Sequence, residues 1–187
     1  MLNVPGKMRL FTAIDLSEEF KDRIIQYTQQ LKKEEGIRFT SRKNLHITTF
    51  FIGEVEFHLM DDIIRVLTLV SEKNRPFTLE FDKVCLAPVK KPYMIWGRFE
   101  NSPEFSNVCG TIRDRLWFCS GEKNTQHTFI PHVTIARFKA ESDLDFGLAW
   151  SGISGFRSEI NGIKLYHSIL MPSGPVYKKM GEFKFGN

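Results

Sequence analysis

The sequence predicts an α+β fold built on a mixed or antiparallel sheet. Short segments rich in β-branched and aromatic residues alternate with three segments of helical periodicity, and the chain ends in two β-rich segments that would form a hairpin. With 187 residues, the chain has the length of one domain. It is 42% hydrophobic and 26% charged, an ordinary composition for globular proteins, which argues against wholesale disorder.

The first predicted strand and helix follow one another directly. Residues 9–16 are apolar and β-rich, and Ser17 is a good N-cap for a helix over residues 18–35. Two glutamates suit the first turn of this helix, and Gly36 ends it. The predicted buried face of the helix consists of Phe20, Ile24, Tyr27 and Leu31.

The same alternation continues along the chain. Further strands are predicted where β-branched and aromatic residues cluster, and further helices where apolar residues recur every three to four positions. The predicted strands lie at residues 45–53, 76–86, 93–99, 129–138, 156–170 and 176–185, and the predicted helices at residues 59–73 and 103–118. A polar loop is expected at residues 120–127, and Pro172-Ser173-Gly174-Pro175 predicts the turn of the terminal hairpin.

We expect residues 8–187 to form a single domain, preceded by a loose leader at residues 1–7, with Met1 and Met8 both open as the true start. The 26 Lys and Arg residues exceed the 22 Asp and Glu residues, giving a formal net charge of +4. This excess is divided equally between the two halves of the chain, and no run reaches five or six like charges. It permits an anionic partner without requiring one. No pattern indicates an oligomer, so a monomer is the default.

The cysteines indicate a reducing compartment. Cys85, Cys109 and Cys119 are odd in number and form no Cys-x-x-Cys motif. The chain also has no signal-peptide pattern and no apolar stretch of about 18 residues. We therefore expect a cytoplasmic protein with no membrane partner, whose thiols pack as small hydrophobic groups. We also expect no metal and no cofactor.

Two of the five histidines repeat one pattern. His46-Ile47-Thr48 and His132-Val133-Thr134 each lie in a predicted strand. Because side chains at i and i+2 of a strand share a face, each pattern sets an imidazole beside a hydroxyl, while Ile47 and Val133 point into the core. The other histidines, for which we expect structural or surface roles, are His58, His127 and His167.

Paired histidines and threonines suit displacement at phosphorus. Histidine exchanges protons near neutral pH, so a pair can supply one general base and one general acid on opposite sides of a reacting centre. Threonine hydroxyls can donate hydrogen bonds to phosphate oxygens. These residues favour phosphodiester cleavage without a metal and a bell-shaped pH profile. They do not by themselves say which histidine is the acid.

The two tetrads, His46-Ile47-Thr48-Thr49 and His132-Val133-Thr134-Ile135, resemble the HxTx signature of the 2H phosphoesterase superfamily. Residues 9–15 (RLFTAID), 44–53 (NLHITTFFIG) and 131–137 (PHVTIAR) are similar to the bacterial and archaeal RNA 2',3'-cyclic phosphodiesterases, also called 2'-5' RNA ligase-like proteins. The similarity runs from about residue 8 to the terminal hairpin. The fourth tetrad position, often leucine in such proteins, is Thr49 and Ile135 here, and we expect this to affect packing alone.

This resemblance implies two pseudo-symmetric lobes of antiparallel or mixed sheet, with helices outside and the tetrads facing each other across a central cleft. It implies hydrolysis of a terminal 2',3'-cyclic phosphate to a 2'-phosphomonoester, on RNA ends or small cyclic nucleotides. His46 would be the proton donor to the departing 3' oxygen, and His132 the base that activates water. Thr48 and Thr134 would hold the non-bridging phosphate oxygens.

Residues beside the tetrads are further candidates. Arg137 matches a basic residue that follows the second tetrad in similar proteins and could pair with the phosphate. Strict alternation places Arg137 on the face opposite His132, so only a β-bulge or the end of the strand would place it on the histidine face. Under the same alternation Phe50 and Phe138 share the histidine face and could stack on a base, although phenylalanine more often occupies the core. The loop residues that could meet an RNA backbone, or simply be solvated, are Arg38, Arg42 and Lys43.

Three alternatives remain open from the sequence. A metal-dependent hydrolase would need a cluster of histidine and carboxylate ligands, and none accompanies the tetrads. A binding module of the same fold could hold a nucleotide or RNA end without turning it over. The same acid–base pair could also run the reaction in reverse, as a 2'-5' RNA ligase.

Overall fold

The computed structural model describes residues 6–31, 36–119, 128–139, 155–172 and 174–186. Within these ranges, nine strands form a continuous sheet with three α-helices packed on it. The strands are β1 (Lys7–Asp15), β2 (Arg38–Phe39), β3 (His46–Glu56), β4 (Phe77–Ala87), β5 (Met94–Phe99), β6 (His132–Arg137), β7 (Arg157–Ile160), β8 (Gly162–Met171) and β9 (Gly174–Lys184). The helices are α1 (Glu18–Leu31), α2 (Met60–Glu72) and α3 (Pro103–Leu116), and 3-10 turns lie at Arg42–Asn44, Phe57–Leu59 and Trp117–Cys119.

Local sequence explains where two of the helices begin. The amide of Phe20 donates to Oγ of Ser17 (3.2 Å), so Ser17 caps α1 as predicted. The amide of Phe105 donates to Oγ of Ser102 (3.0 Å), and proline occupies the first turn of α3, where its missing N–H needs no partner. The described part of α1 ends at Leu31, and residues 32–35, over which its end is predicted, lie outside the described ranges.

The strand order sets the two halves of the chain on either side of the sheet centre. The order is β7-β4-β5-β6-β3-β1-β8-β9, and β2 pairs in addition with β6. Every strand pair within the described residues is antiparallel. Strands β3 and β6 meet at the centre with β1 and β5 outside them, so the β1-α1-β3 and β5-α3-β6 units occupy equivalent places. This is the pseudo-symmetric α+β fold that the resemblance implies.

One face of the sheet packs against the helices. Buried side chains of α1, α2 and α3 join those of the strands in one hydrophobic core, whose burial is the main force that stabilises the fold. Phe20 of α1, for example, stacks on Phe156 with the ring centroids 4.5 Å apart and also contacts Phe81 and Phe99. No helix in the described part of the chain is both long and apolar enough to cross a membrane.

The segment predicted as one strand over residues 156–170 is in fact two strands. β7 pairs with β4 at one edge of the sheet, whereas β8 pairs with β1 in the other half. The chain crosses between them at Asn161 and Gly162. A Cβ atom added at Gly162 would collide with the backbone carbonyl of Phe183, so only glycine fits this crossing.

Other boundaries also differ from the prediction. β1 begins at Lys7, inside the predicted leader, and residues 1–5 lie outside the described ranges. The strand predicted over residues 129–138 begins only at His132, after Pro131, which has no N–H for a ladder hydrogen bond. The short strand β2 was not predicted, and the polar loop predicted at residues 120–127 lies outside the described ranges.

Candidate active site

The two repeated motifs meet at the centre of the sheet. Ile47 of β3 pairs with Val133 of β6, and both side chains are fully buried in the core, as predicted. Extending this antiparallel register by one residue in each direction sets His46 beside Thr134 and Thr48 beside His132. Because side chains alternate along a strand, the histidines and threonines lie on the face opposite the helices.

This face forms the floor of a cavity of about 720 Å³. All four predicted motif side chains line it, together with Arg137. The histidines are half-buried, so each ring is held by protein on one side and open to the cavity on the other. Within the described residues, no group of three histidine, cysteine, aspartate or glutamate side chains is arranged to hold a metal ion. The residues that line the cavity include His46, Thr48, His132, Thr134, Arg137, Arg38, Lys43, Phe51, Trp96 and Tyr177.

Matching backbone hydrogen bonds orient the two imidazoles. Nδ1 of His46 lies 2.7 Å from the carbonyl oxygen of Asn44, and Nδ1 of His132 lies 2.9 Å from that of Ile130, each two residues earlier in the chain. Because a carbonyl only accepts, both Nδ1 atoms carry a hydrogen, and in the neutral rings Nε2 is free to accept. The Thr48 hydroxyl donates to Nε2 of His46 (3.1 Å). Both motifs therefore present a basic Nε2 to the cavity.

The surroundings favour the neutral form of both histidines. Burial is the largest influence and lowers the pKa of His46 from 6.5 to about 4. Burial also lowers the pKa of His132. Among the charged neighbours, Asp15 raises the pKa of His46 more than Lys21 lowers it, whereas Arg137 lowers the pKa of His132.

Two matched β-bulges decide which later residues face the cavity. In the pairing of β3 with β1, Thr48 lies opposite Ala13 and Phe50 opposite Thr12, so Thr49 is an extra residue. In the pairing of β6 with β5, Ile135 is extra in the same way. Thr49 and Ile135 are buried, as expected for the fourth tetrad position, and each bulge reverses the alternation of the residues that follow it.

The bulge at Ile135 brings Arg137 round to the cavity. Strict alternation places Arg137 on the core side, yet Ile135 and Ala136 are both buried and Arg137 is exposed and lines the cavity. The equivalent residue of β3, five positions after its histidine, is Phe51, which is 53% exposed and also lines the cavity. At equivalent positions beyond the two motifs, the cavity is therefore lined by the aromatic Phe51 on β3 and by the cationic Arg137 on β6.

The same bulges turn two phenylalanines away from the histidine face, which contradicts the possible stacking role and confirms the core positions. Phe50 is 3% exposed and Phe138 is 9% exposed, and both belong to the hydrophobic core. Phe50 borders the cavity but does not stand on the histidine face, and Phe51 takes the exposed position instead. The predicted face is wrong for both because the prediction assumed unbroken alternation along each strand. The sequence gives no sign of the bulge that interrupts it.

Aromatic side chains that sequence reasoning missed surround both histidines. Trp96 of β5 stacks on His132 with ring centroids 3.7 Å apart and an interplanar angle of 21°. Phe11 of β1 lies 5.1 Å from His46, and Tyr177 of β9 meets it edge-on at 5.3 Å. The alternation of β1 could have indicated Phe11, but Tyr177 and Trp96 reach the site only through the strand order.

A charged group beside His46 was also missed. Asp15 is the cross-strand partner of His46, and its carboxylate accepts hydrogen bonds from Nζ of Lys164 and from the Tyr166 hydroxyl (3.2 Å). Lys164 also lies 3.8 Å from Glu182. This network fixes a negative charge next to one of the two histidines.

The remaining candidates from the sequence lie away from the reacting face or are inert. Burial raises the pKa of the Cys109 thiol, which borders the cavity, so this cysteine is a neutral thiol near pH 7. His58 is exposed and His167 half-buried, and neither lines the cavity, whereas His127 lies outside the described ranges. All three cysteines are free.

Comparison with known proteins assigns the family. The sequence model of the 2'-5' RNA ligase superfamily matches residues 20–166, which is most of the chain and includes both motifs. The chain belongs to this superfamily. The chain is 30% identical to the RNA 2',3'-cyclic phosphodiesterase of Thermotoga maritima, with 95% of this chain and 96% of the relative covered. It is 26% identical to the protein of that name from Archaeoglobus fulgidus, with 95% and 100% covered.

Solved structures of other proteins share the fold. TT0787 of Thermus thermophilus aligns with a TM-score of 0.82 at 23% identity, covering 95% of this chain and 98% of that one. Escherichia coli LigT, crystallised with phosphate, aligns with a TM-score of 0.77 at 21% identity, covering 97% and 99%. At these identities the comparison establishes the fold.

Proposed function

We propose that this protein hydrolyses the terminal 2',3'-cyclic phosphate of RNA ends to a 2'-phosphomonoester, with two histidines and no metal. The observation that carries the proposal is the matched pair of imidazoles, each fixed through Nδ1 and each presenting Nε2 to one cavity. The superfamily supports it, as do relatives named RNA 2',3'-cyclic phosphodiesterase that are 26% to 30% identical over nearly the whole chain.

In the proposed reaction His132 is the general base. Its Nε2 takes a proton from a water molecule, and the water oxygen attacks phosphorus as the bond between phosphorus and the 3' oxygen breaks. His46, in its protonated form, gives a proton to that 3' oxygen. The products are a 3'-hydroxyl and a 2'-phosphomonoester, and solvent restores the two histidines.

The charged neighbours support this division of roles. Asp15 favours the protonated form of His46, which a general acid requires, and Arg137 favours the neutral form of His132, which a general base requires. Since burial, with smaller contributions from His132 and Lys21, lowers the pKa of His46, the negative charge of the entering phosphate supplies the rest of the stabilisation of protonated His46. Phosphate binding and protonation of His46 are therefore coupled.

The threonines and Arg137 would hold the phosphate. The hydroxyl hydrogen of Thr48 is directed to Nε2 of His46. Once Nε2 is protonated it no longer accepts, so the hydroxyl hydrogen becomes free for a phosphate oxygen while the Nε2 hydrogen serves the 3' oxygen. Thr134 lies at the equivalent position of β6, and Arg137 offers a fixed cation on the same face.

Ligation is a second candidate because the family that matches is the 2'-5' RNA ligase superfamily. The same acid–base pair would catalyse attack of a 5'-hydroxyl on the cyclic phosphate in place of water. An assay that supplies a 5'-hydroxyl RNA fragment together with a cyclic-ended one would detect a 2'-5' linkage.

The proposal is tested by incubating the purified protein with oligonucleotides that end in a 2',3'-cyclic phosphate, in the presence of EDTA. Phosphorus NMR should report conversion to the 2'-monoester at the rate found without chelator. Formation of the 3'-monoester alone would overturn the assignment of the leaving oxygen, and loss of turnover in EDTA would indicate a metal enzyme. Tight binding of the nucleotide end with no turnover would indicate the non-catalytic binding module.

A further inference from the structure

The cavity carries more positive charge than one phosphodiester requires. Three cationic side chains line it, from Arg38, Lys43 and Arg137, and no aspartate or glutamate within the described ranges does. None of the three has a carboxylate within ion-pair distance in the described part of the chain. A cavity with unneutralised cations favours a ligand with several negative charges.

Two of these cations lie directly opposite each other. Arg38 of β2 is the cross-strand partner of Arg137 of β6, and both side chains are exposed to the cavity. Like charges opposite one another in antiparallel strands destabilise the pair, so the arrangement is favourable only with an anion between or beside them.

The Arg38–Arg137 pair stands beyond the two motifs along the sheet. β2 pairs with residues 136–137 of β6, along the same edge on which β3 pairs with residue 133. Because of the bulge at Ile135, Thr134 and Arg137 lie opposite Trp96 and Met94 of β5, so the arginine pair stands two residues of strand, about 7 Å, beyond Thr134. With Arg137 assigned to the reacting phosphate, the second cation of the pair is available to a second anion.

The segment that carries Arg38 and Lys43 is held in place by its neighbours. The amide of Thr40 donates to the carbonyl of Ile135 (2.8 Å), and the Asn44 side chain donates to the carbonyl of Pro175 (3.0 Å). Arg42 pairs with Glu18 and with Asp22, the latter at 2.7 Å, and so ties the segment to α1. Of the three basic residues here, Arg42 is thus occupied, whereas Arg38 and Lys43 are presented to the cavity.

We propose that Arg38 and Lys43 form a second phosphate subsite, which binds the phosphate on the 5' oxygen of the terminal nucleoside. This inference rests on the proposed function for the identity of the reacting end. It assigns the substrate class as RNA chains, in which that phosphate links the terminal nucleoside to the preceding one. Nucleosides that carry only the cyclic phosphate leave the subsite empty.

Calorimetric binding of product-like nucleotides tests the subsite without requiring turnover. Adenosine 2',5'-bisphosphate should bind the wild-type protein at least tenfold more tightly than adenosine 2'-monophosphate at low salt, and the difference should shrink as salt rises. In the Arg38→Gln/Lys43→Gln variant we expect a difference below threefold. The Lys90→Gln/Lys91→Gln variant, which changes two exposed lysines of the β4–β5 loop, should keep the wild-type difference.

Two results would overturn the subsite: equal affinities of the wild-type protein for the two nucleotides, or a gain that survives in the Arg38→Gln/Lys43→Gln variant. A dinucleotide with a terminal 2'-phosphate distinguishes an RNA chain from a free 5'-phosphate, and it should also gain affinity through Arg38 and Lys43. A gain confined to the bisphosphate would contradict the assignment to RNA chains. Because turnover of cyclic phosphates is measured separately, failure of the proposed reaction would not be mistaken for failure of the subsite.

Discussion

Ile47 and Val133 pair with each other where the two halves of the sheet meet, and each lies between a histidine and a threonine of its own strand. Their burial in the core forces the flanking side chains to the opposite face. One hydrophobic pair therefore determines that two imidazoles and two hydroxyls share one cavity. The chemistry of the site depends on packing that occurs on the other side of the sheet.

The bulge of β3 is held by a buried hydrogen bond between the hydroxyls of Thr12 and Thr49, whose oxygens are 2.7 Å apart. Thr12→Val would leave the Thr49 hydroxyl without this partner, and we expect a loss of about 1–3 kcal/mol in the free energy of unfolding. The double variant Thr12→Val/Thr49→Val should recover most of this loss, since the equivalent bulge of β6 uses the apolar Ile135. Urea denaturation of the full cycle measures the coupling, and simple additivity would contradict it.

Gly97 marks a close approach behind the second motif. A Cβ atom added there would lie 3.0 Å from Cγ1 of Val133 and 3.3 Å from Cδ1 of Ile135. Gly97→Ala should therefore displace β6 and cost about 1–3 kcal/mol of stability, with reduced activity because His132 moves with its strand. Gly6→Ala, which meets nothing within 4 Å, is the matched control for both measurements. Wild-type stability of Gly97→Ala would show that β6 adjusts freely.

Stability should depend on pH through the buried histidines. The pKa of His46 falls from 6.5 to about 4 on folding, so between these values the unfolded chain binds more protons than the folded protein. The contribution of His46 is thus complete above pH 6.5 and is lost as the pH falls toward 4. Urea denaturation at about pH 7.5 and about pH 5 should show this loss, and His46→Asn should reduce it. His58→Asn, on an exposed turn, serves as the control.

Asp15 should set the alkaline limb of the pH profile. Because Asp15 raises the pKa of His46, Asp15→Asn should lower that pKa and shift the alkaline limb of kcat, which reports the substrate complex, to lower pH. The shift should be reinforced by the positive charge of Lys164, which loses one of its two carboxylate partners and keeps Glu182. Asp61→Asn, on the exposed face of α2, should leave the profile unchanged. An unshifted profile for Asp15→Asn would mean that His46 is not the acid.

The sequence was sufficient to predict the parts of the site that follow from strand alternation. The shared face of His46 and Thr48, that of His132 and Thr134, and the order of strands and helices all depend on local periodicity. The bulges at Thr49 and Ile135 could not be predicted, because a bulge is defined by the register of the partner strand. For this reason the prediction places Phe50 and Phe138 on the wrong face. Arg137 faces the cavity because of the bulge at Ile135, which is the condition that the sequence analysis set for it.

Other features depend on contacts between distant segments. Asp15, Trp96 and Tyr177 reach the histidines because β1, β5 and β9 are placed near them by the sheet order, which no single segment encodes. The separation of β7 from β8 did carry a local signal, since Asn-Gly is a frequent turn dipeptide. The β-branched residues on either side of Asn161-Gly162 favour a continuous strand, which is why the sequence predicts one strand here.

The most direct test of the paired-histidine account is the turnover of a 2',3'-cyclic oligonucleotide by His46→Ala, by His132→Ala and by the double variant. Each single variant should lose about 10²–10⁴-fold in kcat, and the double variant should lose little more, because general acid and general base act in one step. Binding of the 2'-phosphate product, measured in parallel, confirms that the cavity is intact. Near wild-type turnover by either single variant would contradict the account.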